Sequence, residues 1–164
     1  MKLGKSLLNY PVVKFAFTDE EIARMSDEAD YVEKKNKRNL TEMDTGDKPH
    51  ALKLRDHLLA ASGTTVKIDQ ETDFGYLLEK GEFYSETYMI IPVKKGLDSF
   101  EICSEIWAEH PDKYSVVSGF ALGHNGIWWT HDWLVDKDDN VFEVTRKPRS
   151  LYFGAVDEDQ TLST

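Results

Sequence analysis

Cysteine is almost missing from this chain: Cys103 is the single one among 164 residues. One thiol excludes an internal disulfide framework and every Cys-rich zinc or iron–sulfur site. Basic residues are also in short supply, 20 Lys and Arg against 30 Asp and Glu, which leaves a formal charge of -10. A non-specific nucleic-acid binder needs a basic surface against the phosphate backbone, so this balance argues against a nucleic-acid partner. No apolar run nears the roughly 20 residues needed to cross a bilayer, and no membrane partner is expected. The opening stretch, Met1 to Tyr10, lacks the long apolar core and the small-residue cleavage site of a signal peptide. A cytoplasmic location is the simplest expectation.

Further absences narrow the chemistry. Gly119, Gly123 and Gly126 do not follow the strand, glycine loop and helix order that cradles a phosphate, and are expected to serve turns and hairpins. His110, His124, His131 and Asp132 show no short ligand spacing, so no metal and no cofactor is expected. His50 and His57 are too far apart for an i,i+4 pair and read as surface or packing residues. No linker and no internal repeat divides the chain.

What is present is enough apolar and aromatic material, 40 % and 12 %, to build a core rather than a disordered chain. Thr18 and Glu21 form a capping box, and Phe17 and Ile22 have the spacing of a hydrophobic staple. Ile22, Met25, Ala29 and Val32 then recur at helical spacing. Lys34, Lys35, Lys37 and Arg38 are expected at the C-terminus of that helix, where its partial negative charge favours cations. Pro49 opens a second helix with Leu52, Leu58 and Leu59 inward, and Gly63 ends it in a left-handed cap. Strand character follows at Thr64–Ile68, Phe74–Leu78, Glu82–Tyr84 and Thr87–Val93.

Asp98 and Glu101 form another capping box for a helix that ends before Pro111. Strand-like runs occupy Tyr114–Leu122, Ile127–Val135 and Val141–Thr145, the last two joined by the acidic turn Asp136–Asn140. Leu151–Gly154 closes the domain. The expected fold class is α+β, with N-terminal helices and an antiparallel sheet packed against a central helix. One domain covers residues 1–156, and residues 157–164 form a flexible polar tail.

Strand alternation puts His131, Trp133 and Val135 on one face, and Val141, Glu143 and Thr145 share a face of the next strand. In the right register Glu143 orients His131 through one ring nitrogen and leaves the other to act as a base. Two residues compete as nucleophile. Ser99 stands at the first position of the helix after Asp98, near free backbone N–H groups and a partial positive charge suited to an oxyanion. Cys103 is chemically more nucleophilic but falls on an apolar stripe with Phe100 and Trp107.

Ser99–Trp107, Tyr114–Leu122, His131–Val135, Val141–Thr145 and Tyr152–Gly154 together resemble small bacterial and phage proteins. Their organisation is similar to that of the papain-like and transglutaminase-like superfamily, with a papain-like, NlpC/P60-like core. The resemblance implies a cysteine at a helix N-terminus, a histidine on a later strand, and Asp, Glu or Asn on the next. His131 matches the histidine, Glu143 the acidic position, and Ser99 stands where the cysteine is placed. An alignment shifted by one helical turn makes Cys103 the nucleophile instead.

Two functions follow from these residues. One is a catalytically weak or silent module that binds an unknown protein or peptide-like partner in a groove near His131. The other is an amide or peptide hydrolase or acyltransferase that uses Ser99 or Cys103 with His131 and Glu143. Trp128, Trp129 and Trp133 crowd the histidine strand, and any exposed one among them makes a stacking wall for a ligand. Trp128 and Trp129 are expected on opposite strand faces.

Overall fold

The capping box at Thr18 forms as the sequence requires: Thr18 Oγ1 accepts from Glu21 N, and Glu21 Oε1 accepts from Thr18 N. It opens α1 (Asp19–Glu42) in a computed structural model that describes residues 2–3, 17–91 and 96–163. The helix buries only Val32 and Asn36, while Ile22 is 52 % exposed. Its length changes the reading of the basic cluster. Lys34 to Arg38 lie in the body of a helix that runs on to Glu42, and the last turn holds no basic residue. The partial charge of the helix end therefore does not account for them, because that effect fades within one turn.

Next come α2 (Lys48–Ala61), β2 (Thr65–Val66) and α3 (Phe74–Lys80). α2 turns Ala51, Leu54 and Leu58 inward, leaving Leu52 and Leu59 half-buried at the margin of the same face. Gly63 takes φ +84, the left-handed conformation expected there, and a Cβ at that position would meet Trp128 Nε1 at 2.9 Å. α3 is a correction, since Phe74–Leu78 reads as a strand from composition. Asp73 decides the outcome by accepting from Tyr76 N at 3.0 Å, which caps a helix whose Phe74 and Leu77 point to the core.

The remaining elements are β1 (Lys2–Leu3), β3 (Glu82–Tyr84), β4 (Met89–Ile90), α4 (Ser99–Glu109), β5 (Ser115–Leu122), β6 (Ile127–Val135), β7 (Val141–Glu143) and β8 (Leu151–Val156). Pro92 and Val93, read as a strand end, lie outside the described residues. The strands join in the order β1-β3-β8-β5-β6-β7-β4, with β2 beside β6. The central pairings are antiparallel, as expected, but β4 with β7 and β2 with β6 are parallel. The fold is thus α+β with a curled, mixed sheet.

Helices cover one face of that sheet. α2 and α3 pack with Phe120, Leu122, Trp128 and Phe153, and α4 packs Ile102 and Cys103 on Val116, Leu134, Phe142 and Val144. The opposite face closes on Tyr84, Val117, Ala121, Trp133, Val135, Val141 and Tyr152. Gly119 and Gly154 stand opposite each other where β5 meets β8. A Cβ on Gly119 would come within 2.2 Å of Phe153 O, and one on Gly154 within 2.7 Å of Trp133 Cη2, so the strands and the indole meet only over bare backbone.

Residues 157–163, which composition assigns to a flexible polar tail, are hydrogen-bonded to the rest. Val116 N donates to Gln160 O at 2.9 Å and Trp107 Nε1 to Thr161 O at 2.9 Å, while Leu162 N donates to Ser115 Oγ at 2.7 Å. Their mostly polar side chains do not prevent backbone pairing.

Asn36 joins α1 to the sheet by imitating a strand. Its Nδ2 donates to Val66 O at 2.7 Å and its Oδ1 accepts from Ile68 N at 2.8 Å, all buried. Replacing it with alanine orphans both backbone groups at a site closed to water. Asn36→Ala is expected to lower unfolding free energy by about 2–4 kcal/mol in urea denaturation, against about 1 kcal/mol for Asn39→Ala, which loses a single part-buried bond.

Candidate functional site

The acidic turn sets the register that the site needs. Asp136 Oδ1 accepts from Asp138 N and Asn140 N, folding the hairpin so that Leu134 pairs with Phe142 and Val135 with Val141. His131 and Glu143 then fall on the same face and meet. His131 Nε2 lies 3.0 Å from Glu143 Oε1 and 2.8 Å from Oε2, with His131 8 % exposed and Glu143 completely buried. Trp133 stacks near the imidazole at 6.4 Å and an interplanar angle of 24°.

A fully buried carboxylate needs donors on every side. Tyr152 OH donates to Oε1 at 2.7 Å, and Thr145 donates to Oε2 through its N at 2.9 Å and its Oγ1 at 2.8 Å. Tyr152 OH is itself 2.6 Å from Thr87 Oγ1, which accepts from Arg149 N. Burial pushes the Glu143 carboxyl up, but the hydrogen bond and charge of His131, followed by the Tyr152 and Thr145 donors, outweigh it and hold the group below its ordinary value. His131 Nδ1 makes no hydrogen bond to the described residues.

Neither nucleophile candidate is hydrogen-bonded to that nitrogen. Ser99 does occupy the first position of α4, after Asp98 accepts from Glu101 N at 2.8 Å. Its hydroxyl, however, donates to Asp132 Oδ2 at 2.7 Å, and Ser118 Oγ donates to Oδ1 of the same carboxylate at 2.6 Å. Asp132 follows His131 on β6, so alternation turns the two side chains to opposite faces. Cys103 is completely buried among Val116, Leu134, Phe142 and Val144. Burial first, then the charges of Asp132 and Glu143, push its thiol far up, which removes the thiolate that nucleophilic attack requires.

The tryptophans divide as alternation demands. Trp128 is completely buried with Nε1 donating to Ser62 O at 2.9 Å, and Trp133 is completely buried on the other face. Both are core residues and offer no wall to a ligand. Trp129 alone of the three is partly exposed and lines a cavity.

A second cavity, of about 600 Å³, lies where α3, α4 and the β8 end approach β5 and β6. Ser99, Ser118, His131 and Asp132 line it together with Tyr76 and Asp157. Asp73 and Glu158 add two more carboxylates, and the lining holds no Lys or Arg. Partial burial and then the charges of Glu158 and Asp157 hold the Tyr76 hydroxyl above its ordinary value. The groove's acidic rim and the Asp132 hydroxyl fork were missed at the sequence level. The residues that point to them are Asp132 beside His131 and the Asp157-Glu158-Asp159 run that follows β8.

Among the described residues no group of three His, Cys, Asp or Glu side chains is arranged to hold a metal ion. Among the described residues, no helix is long and apolar enough to cross a membrane. Comparison with protein-family models, curated proteins and solved structures gave no match.

The buried pair predicts a pH signature. A carboxyl held below its ordinary value contributes stability above that value and loses it as pH falls through the depressed one. Glu143→Gln is expected to cost about 3–5 kcal/mol at pH 7, as for one partner removed from a buried pair. The gap to the parent should shrink below pH 4.5, the ordinary value for this group. Urea denaturation of both proteins across that range checks it, and a constant gap would contradict the role assigned to the charge.

Proposed function

We propose that this chain is a binding module built on a degenerate papain-like core, working in the cytoplasm. In this reading the groove between α3 and α4 takes a peptide-like partner and catalysis is weak or silent. One observation carries it: the Ser99 hydroxyl is committed to Asp132 rather than to His131, beside a groove of about 600 Å³. A serine attacks a carbonyl only when a base takes its proton, and a carboxylate already shared by two hydroxyls is a poor base for that step. The same arrangement suits binding, because ordered hydroxyls and carboxylates present fixed acceptors. Four carboxylates line the groove, Asp73, Asp132, Asp157 and Glu158, with no Lys or Arg in the lining. The complementary partner is a peptide segment bearing Lys or Arg.

Amide or peptide hydrolysis or acyl transfer is the second reading. What favours it is the Glu143–His131 contact, and what it must overcome is the alternation that turns His131 and the Ser99 partner Asp132 to opposite faces of β6. In that reading Ser99 attacks, His131 carries the proton and Glu143 orients the ring.

Fluorescence polarisation with labelled Lys/Arg-rich peptides and their Asp/Glu-rich counterparts separates these readings when joined to labelling with a serine-directed fluorophosphonate. Binding of the basic peptides only, weakened about tenfold in Asp157→Lys/Glu158→Lys, with Ser99 unlabelled, is the expected result. Labelling of Ser99 that disappears in His131→Ala would overturn it in favour of the hydrolase.

A further inference from the structure

Away from the groove, a cavity of about 570 Å³ opens between the first turns of α1, the turn at 123–126 and residues 147–149. Its volume is that of a small-molecule site. Trp129 forms one wall, and Arg24, Lys147 and Arg149 supply three cations. None of the three makes a salt bridge to a described residue. The two carboxylates in the lining are already engaged. Glu21 Oε1 accepts from Thr18 N and Oγ1 at 3.2 and 3.0 Å, and Glu28 Oε2 accepts from Asn125 Nδ2 at 3.1 Å.

This distribution runs against the rest of the molecule. In a chain of formal charge -10, this lining sets three cations against two carboxylates, Glu21 and Glu28, and so carries a local positive excess. Arg149 Nε donates to Lys147 O at 3.2 Å, which fixes the guanidinium against its own loop, and Pro148 between them restricts the backbone. Lys67 Nζ lies over the Trp129 ring, 5.5 Å from its centre, and is not part of the cavity lining. Trp129 also owes nothing to the helix-covered core, which Trp128 fills from the other face of β6.

We infer that this cavity binds a small anion carrying a planar ring, of the nucleoside monophosphate class. Arg24, Lys147 and Arg149 meet the phosphate, and the base stacks on Trp129. The site is separate from the acidic groove, so the inference stands whether or not the peptide-binding reading does. It is also compatible with an acidic protein, because it needs one phosphate rather than a polyanion.

Calorimetric titration of the whole chain with AMP, GMP, CMP and UMP tests it, with inorganic phosphate and adenosine as the two halves of the ligand. At least one nucleotide should bind at least about tenfold more tightly than either half. Trp129→Leu, which keeps apolar volume at the wall, and the loop variant Lys147→Ser should each weaken that nucleotide about tenfold, with unchanged circular dichroism. No binding of any nucleotide up to about 5 mM would overturn the inference, that concentration being weaker than a specific site needs. So would equal binding of inorganic phosphate, or nucleotide binding that neither variant changes.

Discussion

The structure turns on the Glu143 carboxylate, the one acidic side chain buried completely among the described residues. Left without partners it would cost several kcal/mol in an interior of low dielectric. It is instead held by donors from three strands and their flanks: His131 on β6, Tyr152 on β8, and Thr145 just past its own strand. These strands are not neighbours throughout. β6 and β7 pair directly, whereas β8 reaches the carboxylate from the far side of β5. One anion thus pins a sheet that must curl for Tyr152 to arrive, and the facing glycines of β5 and β8 are the place where backbone approaches closely enough. Trp133 fills the interior left by that curl, against Tyr152 at 4.8 Å and Tyr84 at 6.0 Å.

The helix-covered face repeats the device with a different result. Asp132 gathers the hydroxyls of Ser99 and Ser118 and so ties the start of α4 to β5 and β6. Two successive residues of one strand therefore serve two polar centres on opposite faces, an imidazole bound to an acid on one side and an acid bound to two hydroxyls on the other. An active acyl-transfer site would join the serine to the imidazole. Here each is satisfied within its own cluster, and of the Glu143 cluster only His131 reaches the groove that Ser99, Ser118 and Asp132 line.

Much of this was legible in the residues. The meeting of His131 and Glu143 follows from alternation plus the Asp136 turn, since a two-residue periodicity and a fixed loop leave few registers. Both capped helices and the division of Trp128 from Trp129 follow from equally local rules. Where the reading missed, longer-range chemistry decided. Asp73 made a helix of Phe74–Leu78 because a single side-chain cap outweighed aromatic strand propensity. Asn36 became a surrogate strand edge only because β2 lies beside it, which no helical pattern records. Ser99 carried the right position for a nucleophile, but its partner was set by which face of β6 the helix covered. The papain-like likeness rested on the order of such residues along the chain, and order alone does not fix that face.

Neutron diffraction on deuterated crystals addresses the central claim most directly, because it places the hydrogens that sort these two clusters. The account predicts deuterium on His131 Nε2 directed at Glu143, deuterium on Tyr152 OH directed at the same carboxylate, and the Ser99 hydroxyl deuterium directed at Asp132. A Ser99 hydroxyl turned instead to His131 Nδ1 would contradict it, and would make the serine, the imidazole and Glu143 a single catalytic line.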